Sequence, residues 1–320
     1  MLPILTLTLN PALDVSAQVP AVVPENKLRL EAVRYEPGGG AINVARAIRK
    51  LGGETNVLFP AGGSSGRQVA ELLAEEGVSA AALSIGGATR ESLTVSETTT
   101  ERQFRFVMPG PSLAEKEWRA CLEALAAQGA PPEIIVFSGS LPPGVPEDFA
   151  AHVVAVGRKL GSKVLVDTSG AALARTVTAG PYLLKPNLRE FLKLTGTVEH
   201  TDESLVRSAR RLLARSETHG IVISLGVGGA MLVTGEAALR FASPVVPIRS
   251  RVGAGDSMVA GIALALARGE SLENATRFGV ASGAAAVMTP GSELCRRTDA
   301  EALYNEIRQQ PATLFPVRDP

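Results

Sequence analysis

Short apolar segments alternate with longer segments whose apolar residues recur every three or four positions through most of the chain. The short segments have the length and composition of buried strands, and the longer ones have the spacing of one buried helix face. This alternation predicts an α/β fold in which βαβ units surround a mostly parallel central sheet. The predicted strands are residues 4–10, 56–61, 134–138, 163–167, 182–185 and 221–225.

Helical stripes with clear stop signals lie between these strands. One stripe runs from Ile42 to Leu51 and is followed by Gly52, and another begins at Val69 and stops at Gly77. Glycine is favoured immediately after a helix because it adopts the left-handed conformation without a steric penalty. The last part of the chain predicts the helices 257–268, 272–288 and 300–309.

Two stretches contain strand-like segments without an intervening helix. Residues 27–35 form the first, and the segments 92–97 and 103–108 form the second. Such segments pair as antiparallel strands, but a sheet of two to four strands with one apolar face is marginally stable alone. We therefore predict a small sheet from about residues 14–35 and 89–108 that serves as a lid, a dimer interface or both.

Composition and charge exclude several classes of protein. The chain has 320 residues, 45% of them hydrophobic, so it can bury a large core, and we expect one domain over residues 1–320. Its 32 basic and 32 acidic side chains form no basic stripe, which argues against nucleic-acid binding. No segment predicts a signal peptide or a membrane span, so we expect a cytoplasmic protein. Cys121, Cys295 and three scattered histidines lack the spacing of a metal site or a disulfide framework.

The sequence RVGAGDSM at residues 251–258 leads directly into an apolar helix. Glycines before a helix allow a tight turn and leave the first amide groups pointing outward, where the helix dipole adds positive potential. The segment therefore predicts an anion site. Asp256 has two interpretations: it caps the helix, or it orients and deprotonates a hydroxyl that attacks a phosphate held at this site.

A second glycine cluster, PGGGAIN at residues 37–43, also opens a helix. It does not match a dinucleotide fingerprint, because Asn43 stands where a third glycine is needed. Without side chains, residues 38–40 would admit a polyhydroxyl ligand close to main-chain amides, and the Asn43 amide could donate and accept hydrogen bonds. A plain turn into a helix is the alternative interpretation.

Two later segments fit a nucleoside triphosphate. Asn187 and Glu190 follow a strand and lie three residues apart, which suits either water-mediated contact with Mg²⁺ or a helix capping box. The glycine-rich turn at residues 224–230 leaves room for phosphates or a nucleoside. The chain has no Gly-Lys dipeptide and no His-Arg-Asp or Asp-Phe-Gly sequence, which excludes a Walker A loop and a protein kinase. A nicotinamide dehydrogenase is disfavoured because residues 10–12 carry no glycine fingerprint after the first strand.

Together these residues resemble the PfkB/ribokinase family of carbohydrate kinases. The sequence PGGGAINVARAIRKLGG at residues 37–53 resembles the first signature of that family, and VGAGDSM at residues 252–258 resembles the second. Further similar segments follow in order along nearly the whole chain: TLTLNPALD at 6–14, PENKLR at 24–29, FPAGG at 59–63, FRFVMPG at 104–110, SGSLPPGV at 138–145, KPN at 185–187 and RFGVASGAAA at 277–286. The similarity is greatest to bacterial PfkB-type members that phosphorylate fructose 6-phosphate.

The resemblance implies a three-layer α/β/α ribokinase-like fold with a small β-sheet lid that often forms a homodimer interface. It also implies transfer of the γ-phosphate of ATP, with Mg²⁺, to a ketohexose phosphate, converting fructose 6-phosphate to fructose 1,6-bisphosphate. Tagatose-6-phosphate or fructose-1-phosphate kinase activity remains open, as does an uncharged sugar or nucleoside acceptor. A sugar-phosphate-binding protein without catalysis is a further alternative.

The resemblance also implies roles for individual residues. Asp256 would be the catalytic base, and the amides of Gly253, Ala254 and Gly255 would form the anion hole. The sugar phosphate would contact Asp14, Lys27, Gly39, Asn43, Arg90, Arg105 and Ser140. ATP would contact Lys185, Asn187, Ser224, Gly226 and Gly229, with Asn187 and Glu190 near Mg²⁺. A potassium-type cation would be bound largely by main-chain carbonyls, here those of Ser250, Val252, Ala286 and Gly291.

Overall fold

The computed structural model describes residues 3–100 and 102–315. The ends of the predicted domain, residues 1–2 and 316–320, lie outside the described residues, as does residue 101 within the predicted lid segment. The strands are β1 (Ile4–Leu7), β2 (Ala12–Val19), β3 (Glu31–Gly38), β4 (Asn56–Ala61), β5 (Ser79–Ser84), β6 (Arg90–Glu97), β7 (Gln103–Val107), β8 (Ile134–Ser138), β9 (Lys163–Asp167), β10 (Leu183–Leu184), β11 (Gly220–Ser224), β12 (Ala230–Thr234), β13 (Ala238–Phe241) and β14 (Thr313–Phe315). The helices are α1 (Gly40–Lys50), α2 (Gly63–Glu75), α3 (Glu115–Ala126), α4 (Phe149–Leu160), α5 (Gly170–Val177), α6 (Leu188–Thr195), α7 (Asp202–Leu213), α8 (Ala254–Ala267), α9 (Leu272–Val287) and α10 (Arg297–Ile307).

The large sheet has the order β14-β13-β12-β11-β10-β9-β8-β1-β4-β5. Neighbours from β11 to β5 are parallel, and β12, β13 and β14 are added antiparallel. The predicted mostly parallel sheet is therefore confirmed, whereas the antiparallel strands β12 to β14 were not predicted.

Both faces of this sheet are covered by helices, which gives the predicted three-layer α/β/α fold. On β8, Ile134 and Val136 pack into a core with residues of α1, α8 and α9. The alternate residues Ile135 and Phe137 pack into a second core with residues of α3, α4 and α7. Because both faces are buried, the central strands read as continuous apolar runs.

The small sheet has the order β3-β2-β6-β7. β2 pairs antiparallel with β3 and parallel with β6, and β6 pairs antiparallel with β7. The prediction of this sheet is confirmed, but its first strand was misplaced: the strand predicted at residues 27–35 is β3, Glu31–Gly38. The turn around Glu25, whose φ is +61°, keeps residues 21–30 outside any strand. β2 was missed because polar Asp14 and Gln18 interrupt its apolar pattern.

Several predicted boundaries shift by a few residues. The first strand ends at Leu7 rather than at residue 10, and the strand predicted at 182–185 shortens to β10, Leu183–Leu184. The helix predicted at 257–268 begins earlier, at Ala254. Gly253 adopts φ +73° as its N-cap, so the three residues before Ser257 already form the first helical turn. This shift places Asp256 inside that turn.

Among the residues that the structure describes, no helix combines the length and the apolar character needed to cross a bilayer.

Candidate active site

The N-termini of α1 and α8 meet above the carboxyl ends of the parallel strands. Gly39 is the N-cap of α1 with φ +104°, and Gly253 is the N-cap of α8. Asn43, in the first turn of α1, donates a hydrogen bond of 2.9 Å from its Nδ2 to Oδ2 of Asp256. The two glycine clusters that the sequence singled out are thus brought together, with the positive ends of two helix dipoles beside one carboxylate.

The first turn of α8 forms a cradle for an anion. A Cβ atom on Gly253 would lie 2.3 Å from Cδ2 of Leu294, so the close approach and the positive φ both require glycine there. The amides of Ala254 and Gly255 belong to the first turn, where they have no intrahelical acceptor. The ammonium of Lys185 lies 3.8 Å from the position that a Cβ on Gly255 would occupy. Unpaired amides and a cation therefore surround the same point.

Asp256 lies at the floor of this cleft, surrounded by protein but still reached from the cleft. Its pKa is raised to about 6, chiefly by burial and also by the charges of Asp167 and Asp14, against the lowering effects of the Asn43 hydrogen bond and the Lys185 charge. A base with a pKa of about 6 is largely ionised at neutral pH and can accept a proton.

Activity is expected to fall as the pH decreases from 7 to 5. Asp256 and Asp14 both have their pKa raised to about 6, chiefly by burial, and the roles predicted for both require the carboxylate form. Because folding raises these pKa values above 3.8, the two groups favour the folded state more as the pH falls from about 6 to about 4. The pH profile of kcat/KM should show an acid limb near pH 6 without unfolding. A flat profile down to pH 5 would contradict these protonation states.

Asp167 was not predicted as a site residue, and the structure places it beside Lys185. Its Oδ1 lies 3.1 Å from Nζ of Lys185, whose side chain is only 7% exposed. Burial opposes the charge of Lys185, but the Asp167 carboxylate, together with Glu190 and Asp256, outweighs burial and holds the pKa of the ammonium above its usual range. The sequence signal that could have identified Asp167 is its position at the carboxyl end of the buried strand β9, because ligands of parallel sheets bind at this edge.

The glycine loop of residues 38–40 packs directly against a predicted sugar-binding residue. A Cβ atom on Gly38 would lie 2.1 Å from Oδ2 of Asp14, so the carboxylate rests on the bare Cα. Ser140 is placed by Asn10, whose Nδ2 donates a hydrogen bond of 2.9 Å to its Oγ. Asn10 was not predicted either, and its Oδ1 is buried without a partner among the described residues.

The variant Gly38→Ala is expected to weaken sugar-phosphate binding. The added methyl group would displace the Asp14 carboxylate but would meet only the end of a side chain. Loss of one charge-assisted hydrogen bond predicts a KM for the sugar phosphate about tenfold higher. The KM for ATP should stay within about twofold of wild type, because Gly38 is remote from the nucleotide side. Steady-state kinetics with each substrate varied in turn would test this, and an unchanged sugar KM would contradict it.

Lid arginines surround the opposite side of Asp14. The guanidinium of Arg90 donates to the main-chain oxygen of Asn10 at 3.3 Å and to Oγ of Ser92 at 3.3 Å. Arg105 lies on β7 and lines, with Asp14 and Ser92, a small hollow under the lid. Both arginines lower the pKa of Asp14, against the larger effect of burial. The structure therefore brings Arg90 and Arg105 close enough to affect the Asp14 carboxylate, and Asp14 and Arg105 line the hollow.

Lys27 is the predicted sugar-phosphate residue that the structure does not bring to this group. It is exposed in residues 21–30 of the lid. Within the described part of the chain it makes no hydrogen bond and no ion pair.

A cavity of about 700 Å³ lies on the other side of the α8 N-terminus. The predicted nucleotide residues Ser224, Gly226 and Gly229 line it, as does Gly255 of the anion cradle. Gly229 has φ +87°, and a Cβ atom there would lie 2.0 Å from the main-chain oxygen of Phe241, which explains the glycine. The remaining wall is mainly apolar and includes Val245, Val246, Ile248, Met258 and Val280, which were not predicted. Size and lining suit a nucleoside whose phosphates point to the α8 cradle.

Asn187 and Glu190 form a helix capping box, which is one of the two interpretations that the sequence allowed. Oδ1 of Asn187 accepts from the Glu190 amide, and Oε2 of Glu190 accepts from the Asn187 amide, each at 2.9 Å. Asn187 also bridges to Ser224 at the end of β11. Within the described residues no group of three acidic, histidine or cysteine side chains converges. These two residues therefore suit contact with a hydrated ion rather than a closed protein cage.

The residues predicted to bind a potassium-type cation come from the loop before α8 (Ser250 and Val252), the last turn of α9 (Ala286) and the loop after α9 (Gly291). The amide of Ser250 donates to the main-chain oxygen of Val287 at 3.3 Å, next to Ala286. Val252 and Gly291 line the same small hollow under the lid. The structure thus places these residues near one another, and their role as cation ligands stays a prediction.

A buried ionic network links the lid to these loops and was not predicted. Arg46 of α1 is 2% exposed and donates to both oxygens of Glu76, at 2.8 and 2.6 Å. It also donates to Oε1 of Glu36 at 3.1 Å and to the main-chain oxygen of Pro37 at 3.0 Å. The other oxygen of Glu36 accepts from Oγ of Ser292 at 2.5 Å. The network fixes the chain on both sides of the glycine loop.

Comparison with known proteins agrees with this geometry. The family model described as pfkB family carbohydrate kinase matches residues 8–299. The chain belongs to the pfkB family of carbohydrate kinases. It is therefore a member of a family of phosphotransferases. The region that matches the family model contains both glycine clusters and Asp256.

Curated relatives in the pfkB family are similar over nearly their whole length. The chain is 42% identical to the ATP-dependent 6-phosphofructokinase isozyme 2 of Mycobacterium tuberculosis, covering 99% of this chain and 95% of that one. It is 41% identical to the protein of the same name from Escherichia coli, covering 95% and 98%. It is 34% identical to a 1-phosphofructokinase of Rhodobacter capsulatus, covering 91% and 92%.

Solved structures of phosphofructokinase-2 from E. coli share the fold. The complex with potassium has a TM-score of 0.91 at 40% identity, covering 96% of this chain and 100% of that one. The complex with fructose-6-phosphate and a tetrameric inhibited form each give 0.90 at 39% identity with the same coverage. These matches confirm the pfkB kinase fold for the large sheet with its helices and for the small lid sheet.

Proposed function

We propose that the protein transfers the γ-phosphate of ATP to a ketohexose phosphate, with fructose 6-phosphate as acceptor and fructose 1,6-bisphosphate as product. The observation that carries the proposal is the position of Asp256. It lies in the first turn of α8, hydrogen-bonded to Asn43 of the glycine loop and beside the amides of the anion cradle. One carboxylate therefore faces both an anion site and a site for hydroxyl groups.

The two substrates approach from opposite sides of Asp256. The cavity beside residues 224–229 would hold the nucleoside, and the α8 cradle with Lys185 would hold the transferring phosphate. Asp14, Gly39, Asn43 and Ser140 would bind the sugar hydroxyls, and Arg90, Arg105 and Lys27 its phosphate. Arginine suits the phosphate because its fork donates two parallel hydrogen bonds. The exposed position of Lys27 means that it would act from the rim of the site.

Phosphoryl transfer then follows from these positions. The C1 hydroxyl oxygen attacks the γ-phosphorus in line, and the bond from that phosphorus to the β–γ bridging oxygen breaks as ADP leaves. Asp256 orients the hydroxyl and accepts its proton. The amides of residues 253–255 and the Lys185 ammonium stabilise the charge that spreads over the transferring oxygens. Closure of the lid would exclude water, which is the competing acceptor.

The residues of the site suit both proposed ions, Mg²⁺ and K⁺. Asn187 and Glu190 would hold Mg²⁺ through its water ligands, because their capping hydrogen bonds occupy one oxygen of each side chain. When bound, Mg²⁺ neutralises charge on the nucleotide phosphates. The carbonyls of Ser250, Val252, Ala286 and Gly291 would hold K⁺ behind the α8 cradle. The E. coli relative was solved with potassium, which supports this assignment.

The lid sheet would also form a homodimer interface. Its strands expose Val33, Tyr35 and Phe106 at fractions of 44%, 48% and 51%. A small sheet with an uncovered apolar face gains stability when a second copy covers it. Sedimentation of the wild type and of Phe106→Glu would test this; a monomeric variant is expected, and an unchanged dimer would contradict this interface.

An acceptor screen tests the proposed function. ADP release would be measured with ATP, Mg²⁺ and, in turn, fructose 6-phosphate, tagatose 6-phosphate, fructose 1-phosphate, fructose and ribose. The highest kcat/KM is expected with fructose 6-phosphate. A higher value with another ketohexose phosphate would replace the acceptor but keep the reaction, whereas no ADP with any acceptor would support a sugar-phosphate-binding protein instead.

A further inference from the structure

The nucleotide cavity contains one charged side chain. Apolar residues, glycines and the serines Ser224 and Ser243 form the rest of its wall, and Arg251 is the charged residue in that wall. Arg251 is exposed and, within residues 3–100 and 102–315, it makes no hydrogen bond and no ion pair. Its charge is therefore unmatched by the residues that the structure describes, in the wall of a cavity next to α8.

Lys185, the other positively charged side chain near the first turn of α8, differs from Arg251 because its charge is paired. Lys185 is buried and held by the Asp167 carboxylate at 3.1 Å, so much of its charge is already balanced. Arg251 lies two residues before Gly253, the N-cap of α8, and lines the cavity together with Ala254 and Gly255 of the first turn. An unbalanced positive charge thus belongs to the cavity wall close to the anion cradle.

We propose that Arg251 binds the phosphate chain of the nucleotide. This inference rests on the proposed function, because it assigns a ligand group within the same nucleotide site. A nucleoside polyphosphate carries several negative charges, and a guanidinium binds phosphate oxygens with two parallel, charge-assisted hydrogen bonds. The apolar wall recognises the nucleoside, and Arg251 recognises the chain that leads from it to the α8 cradle. Asp256 and the sugar residues act on the other side of that cradle.

Two variants separate this role from a general effect of surface charge. Arg251→Gln removes the charge from the cavity wall. Arg249→Gln removes an equal charge two residues earlier, at an exposed position that does not line the cavity. Both variants keep the amide of Arg249, which donates to the main-chain oxygen of Val287 at 2.7 Å. They should therefore fold alike.

Titration calorimetry with ADP and with adenosine tests the proposal. Arg251→Gln is expected to raise the Kd for ADP about tenfold or more, the usual effect of losing a charge-assisted contact. The Kd for adenosine, which has no phosphate, should stay within about twofold of wild type, as should both values in Arg249→Gln. Arg251→Lys should bind ADP with intermediate affinity, because lysine keeps the charge but not the paired donors.

Four results would overturn the inference. An unchanged Kd for ADP in Arg251→Gln would show that the guanidinium does not contact the phosphates. An equal loss of adenosine affinity would indicate a change in cavity shape, and an equal loss of ADP affinity in Arg249→Gln would indicate long-range electrostatics. If the wild type bound neither ADP nor ATP, the proposed function itself would fail, and the role of Arg251 with it.

Discussion

Replacing Asp256 by asparagine is expected to lower kcat by about a thousandfold, because the variant loses the group that accepts the hydroxyl proton. Asparagine keeps the size of the side chain and can still contact Asn43, so the fold and the α8 cradle should persist. The Kd for ADP should stay within about twofold of wild type. The measurement is ADP release with fructose 6-phosphate as acceptor, combined with calorimetric titration of ADP.

Asp299 supplies a matched control for this variant. It is the third residue of α10, as Asp256 is the third residue of α8, and both are first-turn acidic residues. Asp299→Asn should cost about 0.3–1 kcal/mol in unfolding free energy through the helix dipole and leave kcat unchanged. An Asp256→Asn variant with wild-type kcat would refute the role of Asp256 as the base.

Replacing Arg46 by methionine is expected to destabilise the protein by about 3 kcal/mol, because removal of one partner leaves buried carboxylates without a counter-charge. The value lies at the lower end of the range for buried ion pairs, since Glu36 and Glu76 keep 22% and 31% exposure. The sugar KM should also rise, because the Arg46 charge lowers the pKa of Asp14 and helps to keep it ionised. Denaturant unfolding at pH 7 and sugar kinetics measure the two effects.

Arg49 on the same helix is the control for Arg46. It is exposed, and Arg49→Met should change the unfolding free energy by less than about 0.5 kcal/mol. Equal stabilities of the two methionine variants would contradict the structural role of the network. A large loss of stability in Arg46→Met with an unchanged sugar KM would restrict that role to folding.

Local signals explain which parts of the site the sequence could predict. Gly253 and Asp256 lie in one short segment, so the turn, the helix start and the acidic residue could be read together. The α/β alternation likewise predicted the sheet and its helices, because burial on both faces produces continuous apolar strands. The roles of individual residues in substrate binding stay predictions until ligands are tested.

Long-range packing explains what the sequence could not predict. Arg46 lies on α1 outside the apolar stripe, where an arginine is ordinarily exposed at the surface. Its burial depends on Glu76 and on the main chain of β3, which come from elsewhere in the chain. Asp167 only became a site residue because β9 and β10 are neighbours in the sheet, which brings Lys185 next to it. The strand β2 was missed because its buried and polar positions do not alternate regularly.

In the proposed reaction, the first turn of α8 holds the transferring phosphate between nucleotide and sugar. A crystal structure of the wild type with fructose 6-phosphate and a non-hydrolysable ATP analogue tests it most directly. We expect the terminal phosphorus to lie against the amides of residues 253–255, and the C1 hydroxyl oxygen to lie within hydrogen-bond distance of Asp256. A terminal phosphorus bound away from that turn, or a sugar whose C1 oxygen points away from Asp256, would contradict it.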